Sequence, residues 1–257
     1  MASQYTPVIP HLHSINLSHY CEKVRWAFRR LNISYSEENH LPGFHLAANL
    51  ARGGGRTTPC LFTSEGIIPD STDILHWLDR QVEPEKRLFP DDQTREQVEA
   101  LENRFDLNLG PHTRRYVYFY LLQDKPLCLK LLRQKGPAHE KNMLPFVWPA
   151  LTAIMRQSMN ITYEASQISL MKMKSEFDFV DQRLSDGRPY LCGDRFSAAD
   201  LSFAALGAPI VGPAEYSVKL PELDELPPAL AETMREFRQR PSGQKILKWF
   251  KEEQVRF

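Results

Sequence analysis

Residues 18–25 (SHYCEKVR) contain the side chains best suited to chemistry, because they combine a serine and a cysteine with the start of a helical pattern. Four apolar residues recur at helical spacing and predict a helix over residues 20–31 with one buried face: Val24, Ala27, Phe28 and Leu31. Ser18 would lie where the chain enters this helix, and its oxygen could cap a free backbone N–H group. Since a helix N-terminus stabilises negative charge, a thiolate held beside Ser18 would be stabilised.

Cys21 is a second candidate nucleophile in the same segment. With Ser18 as the N-cap, Cys21 would occupy the second-cysteine position of a Cys-x-x-Cys spacing whose first position is a serine. A lone thiol there is either a packed, inert side chain or a redox group, and the sequence leaves both open. The four cysteines (Cys21, Cys60, Cys128 and Cys192) form no Cys-x-x-Cys pair. This scatter favours reduced thiols in the cytoplasm over disulfides or a zinc site.

His11 and His13 are two imidazoles that a short strand would place on one side. Val8, Ile9 and Leu12 supply apolar residues for such a strand. A zinc site takes three or more protein ligands, and no third ligand follows this pair in the sequence. We therefore expect no metal site.

The elements that must position these groups alternate between strands and helices. A second short strand is predicted at residues 33–36, followed by a loop with a brief helical piece at residues 42–55. Residues 60–68 have the pattern of a β-hairpin, and Ser71 begins another helix. This order predicts a small α/β layer fold within about the first 85 residues.

Strand signals disappear after this region and helical patterns replace them. We predict a domain at residues 1–84, a linker at residues 85–92 and an all-helical domain at residues 93–257. Gly110-Pro111 should break the helical pattern that starts at residue 94. The predicted elements of this half are helices at 94–109, 116–122, about 150–184 and 242 to about 255, an irregular insert at 124–149, and a capping box formed by Ser197 and Asp200.

The composition excludes several classes of function. The 257 residues include 32 basic and 32 acidic side chains, so the chain lacks the excess positive charge that nucleic-acid binding requires. Its longest apolar run, at residues 116–122, is far shorter than the roughly 20 residues of a membrane span. No signal-peptide pattern is evident at the start of the sequence.

Three segments together resemble the cytosolic glutathione transferases of the serine type. The spacing Ser18-x-x-x-x-Lys23-Val24-Arg25 is similar to their Ser-x-x-x-x-Arg-Val-Arg pattern, with lysine in place of the commoner arginine and His19 where many members have proline. The segment at residues 56–61 (RTTPCL) resembles the loop that carries a cis-proline before the third strand. The segment at residues 69–74 (PDSTDI) is similar to their acidic-Ser motif.

This resemblance implies a role for each site residue. The Ser18 hydroxyl would donate a hydrogen bond to the sulfur of glutathione, and the Thr58 backbone would pair with its cysteinyl part while Pro59 fixes the turn. Asp70 would accept from the α-ammonium group and Ser71 would bind the α-carboxylate of the γ-glutamyl end. Simple helix capping by Ser18, Asp70 and Ser71, and a strand-start role for Pro59, remain alternatives.

The resemblance also implies the architecture and the activity. We expect a thioredoxin-like α/β domain followed by an all-α domain, with glutathione as co-substrate, a hydrophobic electrophile as second substrate, and homodimers in the cytoplasm that serve detoxification. The electrophile pocket should face Ser18, with Tyr116, Phe119 and Tyr120 as candidate walls and Arg114 and Arg115 nearby.

Two alternatives remain open. One is a glutathione-dependent thiol-disulfide oxidoreductase that uses Cys21. The other is a non-catalytic protein of the same fold that binds glutathione or a hydrophobic ligand, a reading to which the insert at residues 124–149 lends some weight.

Overall fold

The computed structural model describes residues 9–254. The amino-terminal part contains β1 (His11–Ser14), α1 (His19–Arg30), β2 (Ser36–Asn39), α2 (Phe44–Ala51), β3 (Cys60–Thr63), β4 (Gly66–Ile68) and α3 (Ser71–Asp79). After a 3₁₀ turn at Pro84–Lys86 come α4 (Arg95–Asn108), α5 (Gly110–Leu121), α6 (Lys125–Leu132), α7 (Ala138–Ser158), α8 (Tyr163–Arg183), α9 (Ala198–Val211), a 3₁₀ turn at Leu223–Glu225, α10 (Pro228–Gln239) and α11 (Pro241–Glu252). None of the helices within residues 9–254 combines the length and apolar composition needed to cross a bilayer.

The strands form one mixed sheet in the order β2-β1-β3-β4. β1 and β2 are parallel and are joined through α1, whereas β3 runs antiparallel to both β1 and β4. The β3–β4 hairpin confirms the predicted turn between residues 63 and 67. This small mixed sheet with its helices, followed by a largely helical part, confirms the predicted α/β thioredoxin-like and all-α architecture.

Helix α1 connects the two parts of the molecule. Its predicted apolar face is confirmed, because Val24, Ala27 and Phe28 are fully buried and Leu31 is nearly so. The helix contacts α3 of its own part and also α9, which is buried along almost its whole length at the centre of the helical part. The start of α1 is therefore held between the two parts.

The first two strands begin later in the chain than the sequence pattern predicted. Ile9 is 47% exposed and precedes β1, while Leu12 is buried within it; Val8 lies outside the described residues. The second strand begins at Ser36 and not at Ile33, because α1 ends in a turn with Asn32 at a φ of 53° and the chain becomes extended only beyond Tyr35. Ile33 and Tyr35 pack against the core from this connection.

The helix predictions in the second half need three corrections. Residues 124–149 are not irregular: they contain α6 and the first half of α7, because Pro126 lies in the first turn of α6, where a missing N–H is tolerated. The predicted helix at 150–184 is two helices, separated at Asn160 (φ 48°) and restarted by Thr162, whose side chain caps Ala165. Helix α10 was not anticipated.

Two other predictions for this half are confirmed. The chain breaks between α4 and α5 at Gly110-Pro111. At the start of α9, Asp200 accepts a hydrogen bond from the Ser197 backbone N–H at 2.9 Å in a capping box. The last helix ends at Glu252; Val255 lies outside the described residues.

A buried charge network joins α1 to α4. The fully buried Lys23 forms ion pairs with Glu102, which is also buried, and with Asp106 at 2.8 Å, and it donates to Thr72 Oγ1 at 3.2 Å. Burial alone would lower the pKa of Lys23, but the carboxylates of Glu102 and Asp106 outweigh this and the net pKa is raised. The ammonium group therefore stays charged, and it links α1, α3 and α4.

Replacing Lys23 by methionine should reduce the free energy of unfolding by about 3–5 kcal/mol, because the buried Glu102 carboxylate and the half-buried Asp106 carboxylate lose their cation. Urea denaturation followed by circular dichroism measures this change. Lys130→Met is the matched control: Lys130 pairs with Glu225 on the surface, where both side chains are at least a third exposed, so its loss should cost about 0–1 kcal/mol. Equal losses in the two variants would contradict a structural role for the buried network.

Candidate active site

A cleft of about 580 Å³ lies between the sheet-containing part and the helices. One wall comes from the start of α1, the turn before α2 and the loop before β3, and it includes Ser18, His45, Arg56 and Thr58. The opposite wall comes from α5, α6, α7 and the residues around α10. The sheet-containing part supplies polar groups, and the helices supply mainly apolar ones.

Ser18 is the N-cap of α1 and lines this cleft. Its side-chain oxygen accepts a hydrogen bond from the Cys21 backbone N–H at 3.3 Å. Because the oxygen acts there as acceptor, the hydroxyl proton can be donated to a ligand in the cleft. Capping and ligand binding are therefore compatible at this residue.

The loop before β3 presents backbone groups to the same cleft. The Thr58-Pro59 peptide bond is cis, as the resemblance implied, and Thr58 lines the cleft while Pro59 is buried behind it. Within residues 9–254, neither the N–H nor the C=O of Thr58 has a hydrogen-bond partner. The loop itself is held by Asn49, whose amide donates to the Thr57 carbonyl at 2.8 Å.

Asp70 and Ser71 lie at the start of α3, beside this loop. Asp70 is the N-cap, with its carboxylate accepting from Thr72 N–H at 2.8 Å and Asp73 N–H at 3.3 Å. Neither Asp70 nor Ser71 lines the main cleft. However, the Thr57 hydroxyl donates to the carbonyl of residue 69 at 3.2 Å, so the loop and the helix start adjoin one another at one end of the cleft.

His19 is an interdomain contact whose role the sequence did not reveal. Its Nε2 lies 2.9 Å from the Gly110 carbonyl, which can only accept, so this nitrogen carries the proton. Burial lowers the pKa of His19 to about 3, with a smaller contribution from Arg114, so the ring is neutral. This hydrogen bond holds the first turn of α1 against α5.

Cys21 lies in the first turn of α1 but is not part of the cleft lining. The side chain is fully buried, and its sulfur accepts from the Ile15 backbone N–H at 3.5 Å. Burial raises the pKa of the Cys21 thiol despite the nearby Arg25. Because a redox nucleophile needs exposure and thiolate character, this position disfavours the oxidoreductase alternative.

The aromatic residues proposed as pocket walls face elsewhere. Tyr116 is buried with its hydroxyl 2.8 Å from Thr233 Oγ1, and neither Phe119 nor Tyr120 lines the cleft. The prediction for these three residues was wrong because apolar periodicity indicates a helix but not which side of it faces the cleft. The side chains that α5 presents to the cleft are Arg114, Val117, Tyr118 and Leu121.

The helices of the supposed insert form part of the apolar wall. Leu131 of α6 and Leu151, Ile154 and Met155 of α7 line the cleft. Arg114 supplies a cation to the same space, and its Nε is buried without a hydrogen-bond partner among residues 9–254. Its neighbour Arg115 is not part of the lining; it donates to the Met159 carbonyl at 2.8 Å.

The reason for expecting no metal site was wrong. His11 and His13 do have neighbouring donors, since Glu38 of β2 lies within 3.5–3.6 Å of both rings and His40 lies within 3.4 Å of Glu38. These donors were missed because they come from a different strand, and only the sheet register brings them together.

Two family models match the sequence. Glutathione S-transferase, N-terminal domain, matches residues 12–86, and Glutathione S-transferase, C-terminal domain, matches residues 137–238. Together they span more than two thirds of the chain, and the first coincides with the sheet-containing part. The chain therefore belongs to the glutathione S-transferase family. No protein of curated function matches it.

Several solved structures share the fold at low sequence identity. The β-etherase LigF from Sphingobium sp. strain SYK-6 superposes with a TM-score of 0.59 at 15% identity, over 94% of this chain and 99% of that one. A glutathione S-transferase from Methylobacillus flagellatus kt, solved with GSH bound, gives 0.53 at 19% identity, over 92% and 98%. The theta class enzyme from Xanthomonas axonopodis pv. citri, solved with glutathione bound, gives 0.50 at 16% identity, over 93% and 97%.

The buried, neutral His19 predicts a pH dependence of stability. Because its pKa is about 3 in the folded chain against 6.5 for an unperturbed histidine, the unfolded chain takes up the proton first, and the free energy of unfolding falls as the pH drops from about 6.5 towards 3. His19→Gln keeps a donor for the Gly110 carbonyl but does not titrate, so its stability should fall less over this range.

Urea midpoints measured at intervals between pH 7 and pH 4 test this expectation. His139→Gln is the control, since His139 is exposed on α7. If His19→Gln and His139→Gln lose stability with the same slope as the parent chain, His19 does not contribute to the pH dependence.

Proposed function

We propose that the protein is a glutathione transferase in which Ser18 stabilises the thiolate of glutathione. The observation that carries the proposal is the placement of the Ser18 hydroxyl and the unpaired Thr58 backbone groups on one wall of the cleft. Glutathione would lie along this wall, with its cysteinyl backbone on Thr58 and its γ-glutamyl end towards Asp70 and Ser71. Glutathione bound to relatives of the same fold supports this arrangement.

Thiolate formation is the chemical contribution assigned to Ser18. A free thiol has a pKa near 8.5, and a hydrogen-bond donor together with the N-terminus of α1 favours the charged form. The proton leaves to solvent, the sulfur forms a bond to an electrophilic carbon, and the leaving group departs with the bonding pair, or a conjugated acceptor takes the pair. No further group is required for this step.

The second substrate should be a hydrophobic electrophile. The helical wall presents leucine, isoleucine, valine and methionine side chains, and burial of apolar surface is their main contribution to binding. Arg114 is the cation on this wall, so an electrophile with an anionic substituent would also find a partner. The β-etherase LigF, which shares the fold, is one example of a different reaction on this scaffold.

A non-catalytic binding protein is one alternative to a transferase. Homodimerisation and a cytoplasmic location remain predictions from the family. Residues 124–149 no longer favour a non-catalytic binding protein, because they belong to α6 and α7, two helices that contribute side chains to the cleft. Retention on a glutathione-affinity resin without turnover of any model electrophile would support the binding protein. Size-exclusion chromatography with light scattering would test the dimer.

Ser18→Ala should lower kcat/KM for a model aryl halide by about 10- to 100-fold, the equivalent of one hydrogen bond to a charged group. The thiol pKa in the glutathione complex, read from thiolate absorbance against pH, should rise by about one unit or more. Ser158→Ala is the matched control, because Ser158 lines the opposite wall of the cleft and should leave the thiol pKa unchanged. An unchanged thiol pKa in Ser18→Ala would refute the role of this serine.

Cys21→Ala separates the two catalytic hypotheses. Because the thiol is fully buried and does not line the cleft, this variant should retain conjugation within a few-fold of the parent. Loss of glutathione-dependent disulfide reduction in Cys21→Ala, with conjugation intact in Ser18→Ala, would establish the oxidoreductase instead.

A further inference from the structure

A cluster of three histidines and one glutamate lies on the face of the sheet covered by α2. In the parallel pairing of β1 with β2, His11 is opposite Ser36 and His13 is opposite Glu38. Alternate residues of a strand point to the same face, so His11, His13 and Glu38 share one face. The pairing continues past β2 with a 2.8 Å hydrogen bond from His40 N–H to the Ser14 carbonyl, which places His40 on that face as well.

The tautomer of His13 is fixed by its neighbour. His13 Nδ1 lies 2.9 Å from Asn49 Oδ1, and the Asn49 amide nitrogen donates to the Thr57 carbonyl, so the oxygen is the atom that faces His13. An amide oxygen can only accept, and Nδ1 must therefore carry the proton. In the neutral ring this leaves a lone pair on Nε2.

His40 and His11 are held in the same way. His40 Nδ1 lies 2.7 Å from Glu140 Oε1, and His11 Nδ1 lies 2.8 Å from Ser36 Oγ, whose own proton is directed to the Pro10 carbonyl at 3.4 Å. Both Nδ1 atoms are therefore donors. Histidines that ligate metals are typically oriented by such a partner on the other ring nitrogen.

The three Nε2 atoms lie around the Glu38 carboxylate. His11 and His13 lie 3.5 Å and 3.6 Å from its Oε2, and His40 lies 3.4 Å from its Oε1. Within residues 9–254 none of the three nitrogens has a hydrogen-bond partner, and His13 and His40 are almost completely buried. Lone pairs that face a carboxylate repel it, so the arrangement calls for a cation between them.

We propose that His11, His13 and Glu38, whose ligand atoms all lie within 4.8 Å of one another, bind a divalent transition-metal ion, with zinc the best match and His40, beside the other carboxylate oxygen of Glu38, as the fourth donor. Zinc takes imidazole nitrogen and carboxylate oxygen at 2.0–2.2 Å, and two ligands on a tetrahedral ion are then about 3.3 Å apart, close to the spacing found between the rings and Glu38. Without a thiolate or further oxygen donors, the site suits zinc better than calcium or magnesium.

The surroundings are consistent with reversible binding. Glu38 is 38% exposed and gives access from solvent. Arg52, at the end of α2, holds Glu38 Oε2 at 3.1 Å and is the cation that a metal must displace or share.

Metal analysis of the tag-free full-length chain tests the site. The chelator-treated protein is equilibrated with Zn²⁺, passed through a desalting column and analysed by inductively coupled plasma mass spectrometry, and a chromophoric chelator in competition gives the affinity. We expect one zinc ion per chain, and a weakening of about 100-fold or more in His13→Gln and in His40→Gln, since loss of an outer partner alone costs 10- to 100-fold. His139→Gln is the control with an unchanged affinity.

Two further measurements protect the test against misfolded variants. Co²⁺ bound to the unmutated chain should give the intense visible bands of a four-coordinate nitrogen and oxygen site, without the sulfur-to-cobalt charge-transfer band of a thiolate. Arg52→Met should bind Zn²⁺ more tightly, because it removes the competing cation. Three results would each overturn the site. They are a thiolate band in the Co²⁺ spectrum, far less than one bound ion per chain, and affinities of His13→Gln and His40→Gln equal to that of the control.

Discussion

A lysine ammonium group that is fully buried must be paired, and this constraint fixes how the two parts of the molecule meet. Both carboxylates that pair with Lys23 of α1 belong to α4. A shift of α1 along α4 would therefore leave the buried ammonium group without a counter-charge. Ser18 lies five residues before Lys23 on the same helix. The position of the hydroxyl at the cleft therefore depends on an ion pair that does not itself touch the cleft.

The first turn of α1 adds neutral contacts to the same interface. His19 bonds the Gly110 carbonyl, and the Tyr20 hydroxyl donates to the Asp106 carbonyl at 2.9 Å. A Cβ atom at Gly110 would lie only 2.3 Å from the Tyr20 hydroxyl oxygen, so no larger residue fits there without movement. The Gly110-Pro111 pair, which ends α4 in the sequence pattern, is thus also the point where α5 approaches α1 closely enough to build the cleft.

Local patterns predicted those parts of the fold and site that depend on neighbours in the chain. Ser18 was located at a helix start by the spacing of apolar residues within the next few turns, whereas the Thr58-Pro59 turn was located by its resemblance to the family's loop. The prediction that Tyr116 lines the cleft was wrong. Apolar periodicity indicates a helix, but the side of the helix that faces the cleft depends on partners distant in sequence. Pro126 contributed to the prediction of an irregular insert, although it occupies the first turn of a helix. The role of Lys23 needed Glu102, 79 residues away.

Asn49 links the two ligand sites that we propose. Its oxygen accepts from His13 and its nitrogen donates to the Thr57 carbonyl, so one amide orients both a metal-facing imidazole and the loop that offers Thr58 to glutathione. Asn49 is completely buried and cannot exchange these partners for water. A ligand that restrains either side of this amide restrains the other, and any coupling between the sites must act equally in both directions. The thioredoxin-like domain thus has a physical route by which an ion on the face under α2 can influence the loop at the cleft.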